Sequence, residues 1–245
     1  MKLKQLLFAS AISVAICTQT AMAQTPRWLD PQVNRVNTEK SRSSFFAYES
    51  ESLAKKGVKE ESNRFLSMEG TWKFRFCKDH NLAPKNFFLP DYDDTLWDKF
   101  PVPGLFEMNG YGDKIYKNVG YAWATQFASN PPHVEEKNNY TGSYRRTFNI
   151  PAQWKGDRIY VHVGSATSNL TLWVNGKEVG YSEDSKLAAE FDITKYVVPG
   201  QKATIAMQVM RWCDGSYGED QDFWRFTGIA REVYMYARPA AHIQD

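Results

Sequence analysis

Residues 214–225, DGSYGEDQDFWR, place four carboxylates within nine positions: Asp214, Glu219, Asp220 and Asp222, with Trp212 and Trp224 on either side. Two chemistries use such groups. A pair of carboxylates about 5 Å apart across a glycosidic bond performs retaining hydrolysis. A single carboxylate accepts sugar hydroxyls, or serves as a hard oxygen ligand for a hard cation. In an extended segment Asp220 and Asp222 would share a face with Cα atoms about 6.5 Å apart, which is compatible with a pair. Catalysis also needs a cleft that buries one acid and raises its pKa, and the spacing alone supplies none. The stretch therefore reads as part of a site. Asp214-Gly215 reads as a turn, Glu219 and Asp220 as partners of Arg225 or Arg211 or as solvated groups, and the two tryptophans as core. Other metal chemistry has little footing. There is no C-x-x-C, H-E-x-x-H or EF-hand loop, and the four histidines are scattered.

The chain around this stretch is that of a globular protein. Its 245 residues are 42% hydrophobic and 24% charged, which argues against disorder. The aromatic share, 15%, is high and suits both sandwich cores and flat platforms for sugar rings. The start has Lys2 and Lys4, an apolar run from Leu6 to Cys17, and the small-residue site Ala21-Met22-Ala23. That is the pattern of a signal peptide, residues 1–23, cleaved after Ala23. The run is short for a membrane span, and Ile16 is too bulky for lipoprotein processing at Cys17. The expected product is exported, periplasmic or secreted, with no membrane partner. Loss of Lys2 and Lys4 takes the formal charge from +2 to neutrality, so there is no general pull on nucleic acid. Cys77 and Cys213 remain, and two separated cysteines do not establish a disulfide.

Residues 24–65 hold no sustained period and read as an extended arm, with a short helix near 51–57 and Phe45, Phe46 and Tyr48 as anchors. From there strands recur. GTWKFRF (70–76) alternates, with Trp72, Phe74 and Phe76 on one face. YTGSYRRTFNIP and DRIYVHVGSA follow, with His162 read as packing. Leu170, Leu172 and Val174 alternate into an Asn175-Gly176 hairpin turn, which leaves Trp173 on the other face. AEFDITKY reads as turn-like, 203–212 as a strand and REVYMYARP as the last one. This is the signature of an all-β antiparallel jelly-roll β-sandwich.

Five separated motifs now stand in order: LSMEGTWKFRF; FPVPGLFEMNGYGDKIYKNVGYAW; NPPHVEEKNNYTGSYRRTFNIP; LWVNGKEVGYSEDSKLAAEFDIT; and MRWCDGSYGEDQDFWRFTGIAREVYMYARP. Together they resemble the N-terminal sugar-binding domain of family 2 glycoside hydrolases, and within that family the large β-galactosidases. The resemblance implies a galactose-binding-domain-like jelly roll over 66–240, with 241–245 beginning a linker to further domains. It implies that the two catalytic glutamates reside in a (β/α)₈ barrel whose signatures are absent here, so this chain alone would be inactive. It assigns substrate binding to Asn118, in IYKNVGY, and to Asp222, which would also be one ligand of a sodium ion completed by the barrel. Magnesium is a further candidate in the complete enzyme, which the resemblance makes a homo-oligomer acting on terminal β-galactosides. The partner would be the chain's own further domains or a complementary subunit. A stand-alone carbohydrate-binding module and a purely structural buttress are the alternatives, and related members act on glucuronides or mannosides. Asn139-Tyr140-Thr141 and Asn169-Leu170-Thr171 are formal glycosylation sequons.

Overall fold

Alternating burial divides this chain into two layers. The computed structural model describes residues 25–219 and 221–245, so the signal-peptide reading of 1–23 and every reading of Asp220 lie outside the described residues. In chain order the strands are β1 (Arg35–Val36), β2 (Phe65–Ser67), β3 (Gly70–Cys77), β4 (Asp98–Val102), β5 (Gly104–Leu105), β6 (Ile115–Tyr121), β7 (Thr141–Asn149) and β8 (Arg158–Val163). Then come β9 (Leu170–Val174), β10 (Lys177–Ser182), β11 (Ala189–Asp192), β12 (Lys202–Met210), β13 (Gln221–Arg225), β14 (Gly228–Ile229) and β15 (Val233–Arg238). A single α-helix among the described residues, α1 (Glu51–Lys56), is capped by Ser50 Oγ and closed by Gly57 at φ 70°.

Seven strands form one sheet in the order β1-β10-β9-β12-β7-β3-β4, and four form the facing sheet, β11-β8-β15-β2. Every pairing is antiparallel. Trp72, Phe74, Tyr144, Leu172, Ile205 and Met207 come from the first layer and Val161, Phe191, Val233 and Met235 from the second; each is at most 1% exposed. Burying each side chain contributes about 1.5–3 kcal/mol, so this interface is the main source of stability. The result is an all-β sandwich consistent with the expected jelly roll. The Asn175-Gly176 turn has φ of 50° and 80°, the positive pair that a two-residue hairpin needs.

Several segments depart from the sequence reading. AEFD is strand β11, formed because an edge strand needs only one neighbour, β8. DKFPV is strand β4, and Pro101 is tolerated because β4 is the sheet's outermost strand. The arm is partly built into the sandwich, since β1 extends the seven-stranded sheet through β10. Further along, Arg42 reaches both oxygens of Glu190 at 3.0 and 2.9 Å, and Phe46 packs with Phe65 against Tyr160, Tyr234 and Tyr236. His162 does more than pack: it stacks on Tyr234 and its Nδ1 lies 3.0 Å from Glu190.

Candidate functional site

Strands β6 and β13 leave the sandwich as a two-stranded ribbon. Gln221 faces Tyr121, Phe223 faces Lys117, Trp224 faces Tyr116 and Arg225 faces Ile115, with a shift of register between Gln221 and Phe223. Asp222 alone therefore spans the stretch that Asn118, Val119 and Gly120 occupy on β6. Such a bulge re-aims side chains. Here Asp222 takes a left-handed φ of 52° and Gly120 a φ of 80°. Asn118 and Asp222 are both exposed, so the fold brings the two sequence-predicted binding residues together on one projecting ribbon. Asp222 is not in the regular extended conformation that an Asp220–Asp222 pair would require.

Tyr116 supports this arrangement. Its hydroxyl donates to Asp222 Oδ1 at 3.3 Å, and the Asp222 charge beside it pushes the phenol pKa above its ordinary value. The Tyr116 ring meets Trp224 at 5.1 Å, and Trp224 stacks on Phe226 at 5.5 Å. Trp224 is 48% exposed and Phe223 50%, which corrects the reading of Trp224 as core; Trp212 is core, at 2%. The sequence does carry a signal for Tyr116, since it sits two positions before Asn118 and alternation puts both on one face.

Arg225 is the ribbon's root. Fully buried, it donates through Nη2 to Arg211 O at 2.6 Å and Ser216 Oγ at 3.2 Å, and through Nη1 to Glu219 Oε2 at 3.3 Å. Glu219 also accepts from Ser185 Oγ at 2.7 Å. Of the alternatives the sequence left for Glu219 (Arg225, Arg211 or solvent), the fold places it on Arg225. Asp214 opens a 3-10 turn, Asp214–Tyr217.

A second group of acids lies between β10 and that turn. Ligand atoms of Glu183, Cys213 and Asp214 fall within 4.8 Å of one another. Burial, with Asp214 adding to it, pushes the Glu183 carboxyl up to about 9, and burial pushes the Cys213 thiol up to about 12. Tyr181 donates to Glu183, and Asp214 Oδ2 is buried without a hydrogen-bond partner. Two crowded carboxyls with an orphaned oxygen fit a hard divalent cation, which would compete with the proton on Glu183. Cys77 and Cys213 are both free, with no disulfide between them. Asn139 and Asn169 are both buried: the Asn139 amide bridges Trp212 N and O at 2.9 and 3.0 Å, and the Asn169 side-chain carbonyl accepts from Met210 N. Neither is accessible for glycosylation in the folded chain.

A cavity of about 1070 Å³ runs between the arm and the outer face of the four-stranded sheet. Arg42 of the arm and His162 of β8 both meet Glu190 there, so the cavity marks where the arm is seated on the sheet.

Comparison with known proteins agrees with this layout. The model of the glycosyl hydrolases family 2 sugar binding domain matches residues 65–239. A β-galactosidase of Priestia megaterium is 39% identical over 221 residues, covering 90% of this chain and 21% of that protein. A β-galactosidase of Vibrio cholerae is 37% identical, covering 89% and 20%, and a β-galactosidase large subunit of Leuconostoc lactis is 36% identical, covering 89% and 36%. The chain thus spans between a fifth and about a third of these relatives' lengths. Among solved structures, a β-glucuronidase of Bacteroides uniformis aligns with TM-score 0.54 at 23% identity, over 72% of this chain and 18% of that one. At that identity the likeness speaks for the fold alone.

Proposed function

The chain belongs to glycosyl hydrolase family 2, as its sugar-binding domain, and from that premise we propose that it supplies the sugar-recognition side of a β-galactosidase active site. The observation that carries this reading is the pairing of Asn118 and Asp222 on the exposed β6–β13 ribbon. An amide donates and accepts at once, and a carboxylate accepts two hydroxyl hydrogen bonds. Together they suit the donor-rich, uncharged edge of a galactose ring. Asp222 would repel the carboxylate of a glucuronide, which favours galactosides. The catalytic acid and nucleophile would come from domains outside this chain, consistent with the share of its relatives that it covers.

Two cations fit the residues present. Asp222 is an exposed, hard, singly charged ligand for sodium, with the other oxygens drawn from outside the chain. Glu183 and Asp214 would hold magnesium, which prefers oxygen to the protonated Cys213 thiol; bound there it would neutralise the acids and tie β10 to the ribbon's base. The leader pattern supports an exported enzyme, and no helix among the described residues is long and apolar enough to cross a membrane. The half-exposed Trp224 and Phe223 offer a surface on which the enzyme's other domains would pack.

The test compares nitrophenyl β-galactoside with nitrophenyl β-glucuronide, using both the complete enzyme that carries this chain and the chain by itself. The complete enzyme should prefer the galactoside and the chain should be inert. Hydrolysis by the chain alone, or a preference for the glucuronide, would overturn the reading.

A further inference from the structure

The outer face of the seven-stranded sheet carries a run of aromatic rings that the ribbon does not use. The long β3–β4 connection folds back over this face. Trp173 of β9 stacks on Phe88, with centroids 5.2 Å apart and planes 6° apart, and meets Phe87 at 5.3 Å. Phe87 meets Trp97 at 6.1 Å, and Trp97 meets Tyr92 at 5.7 Å. Phe87 is buried beneath the run, while Trp173, Phe88, Trp97 and Tyr92 are partly exposed. At the Trp97–Tyr92 end the surface opens into a cavity of about 350 Å³, whose walls include Arg75, Asp93 and Leu96. Leu96 is 92% exposed.

The connection is fixed in shape from below. Arg145, only 4% exposed, donates from Nε to Asp94 Oδ2 at 2.8 Å, from Nη1 to Leu89 O at 2.8 Å and to Phe87 O, and from Nη2 to Tyr92 O at 3.4 Å. Lys73 Nζ holds Thr95 O at 3.2 Å. A loop already ordered in this way loses little entropy when a ligand settles on it. Hydrogen bonds from Thr95 keep the Asp93 carboxyl below its ordinary pKa, so it remains an acceptor.

We propose that this face is a second carbohydrate-binding surface, on which a neutral hexose oligosaccharide lies along the aromatic run with one end seated in the Trp97 cavity. Ring faces offer an apolar platform to the C–H side of a sugar. Arg75 supplies donors and Asp93 acceptors for hydroxyls, and their opposite charges favour an uncharged glycan over a uronate or phosphate. The volume is at the lower end of the range for small-ligand sites, room for about one or two hexose rings. None of the residues named here belongs to β6 or β13, so the site stands or falls separately from the ribbon.

Affinity electrophoresis of the full chain in gels containing soluble β-1,4-galactan or hydroxyethylcellulose tests the inference. Retardation by at least one polymer is expected. It should be lost in Trp97→Ala and weakened several-fold in Asp93→Ala and in Leu96→Glu, exposed positions whose replacement leaves the fold intact by circular dichroism. Asp222→Asn should be retarded like the parent. No retardation by either polymer, or retardation unchanged in both Asp93→Ala and Leu96→Glu, would overturn it. So would size-exclusion evidence of a dimer that those same substitutions dissolve, which would make the face a protein interface.

Discussion

Asp222 holds a backbone conformation that ordinary side chains avoid, since a left-handed φ brings Cβ against the following carbonyl. Asparagine shares aspartate's tolerance of this region, whereas β-branched residues do not. Urea denaturation should therefore find Asp222→Asn within about 0.5 kcal/mol of the parent and Asp222→Val destabilised by about 1–2 kcal/mol. Equal stabilities would mean that the bulge is not formed as described. Glu183 gives a second residue-scale expectation. Its folded pKa of about 9 lies above the ordinary 4.5, so the folded chain binds the proton that the unfolded chain releases. Stability from this group is complete below about pH 4.5 and is lost as pH rises towards 9. In chelator-containing buffer the parent should lose stability across that window, and Glu183→Gln should lose less; parallel curves would refute the raised Glu183 carboxyl. Asn118 and Asp222 could be singled out as candidates in the sequence because their types suit the chemistry and their motifs are intact. The contact of Tyr116 with Asp222 and the exposure of Trp224 were not legible, because they depend on which strand lies opposite.

At the level of elements, alternation made β3, β7, β8, β9 and β15 readable, since each has one face in the core. The ribbon strands gave no such signal: β13 is exposed at four successive positions before Arg225 is buried. Its strand character comes from pairing with β6, and pairing leaves no period in a single sequence. Arm strand β1 is hidden for the same reason. Close packing inside the sandwich sets another constraint. A Cβ at Gly142, the second residue of β7, would stand 2.3 Å from Phe106 Cζ and 2.6 Å from Phe74 Cε2. Both rings are fixed in the core, so Gly142→Ala should cost about 1–3 kcal/mol by chemical denaturation. A neutral result would show that these aromatics can shift. Arg225→Met should cost more than a surface arginine change, about 2–4 kcal/mol, because Arg211 O and Glu219 lose a buried donor.

Taken whole, the chain is a two-layer scaffold with one ribbon raised from it, and the ribbon carries the residues that suit a sugar. The layers explain the stability; the ribbon's exposed aromatic and polar groups offer a surface for the further domains proposed above. Family membership and the fold class could be read from five motifs in order. The conformation of Asp222 could not be decided from spacing, because the bulge opposite Asn118 sets it. The central claim is that Asp222 recognises the galactoside in a site completed elsewhere. Its most direct test is the kcat/KM of Asp222→Asn for nitrophenyl β-galactoside, measured in the complete enzyme across a sodium titration. A charge-assisted hydrogen bond lost at the sugar predicts a fall of roughly 10- to 100-fold, a blunted sodium response and an unchanged melting temperature. Parent-like kinetics with a parent-like sodium response would contradict the account.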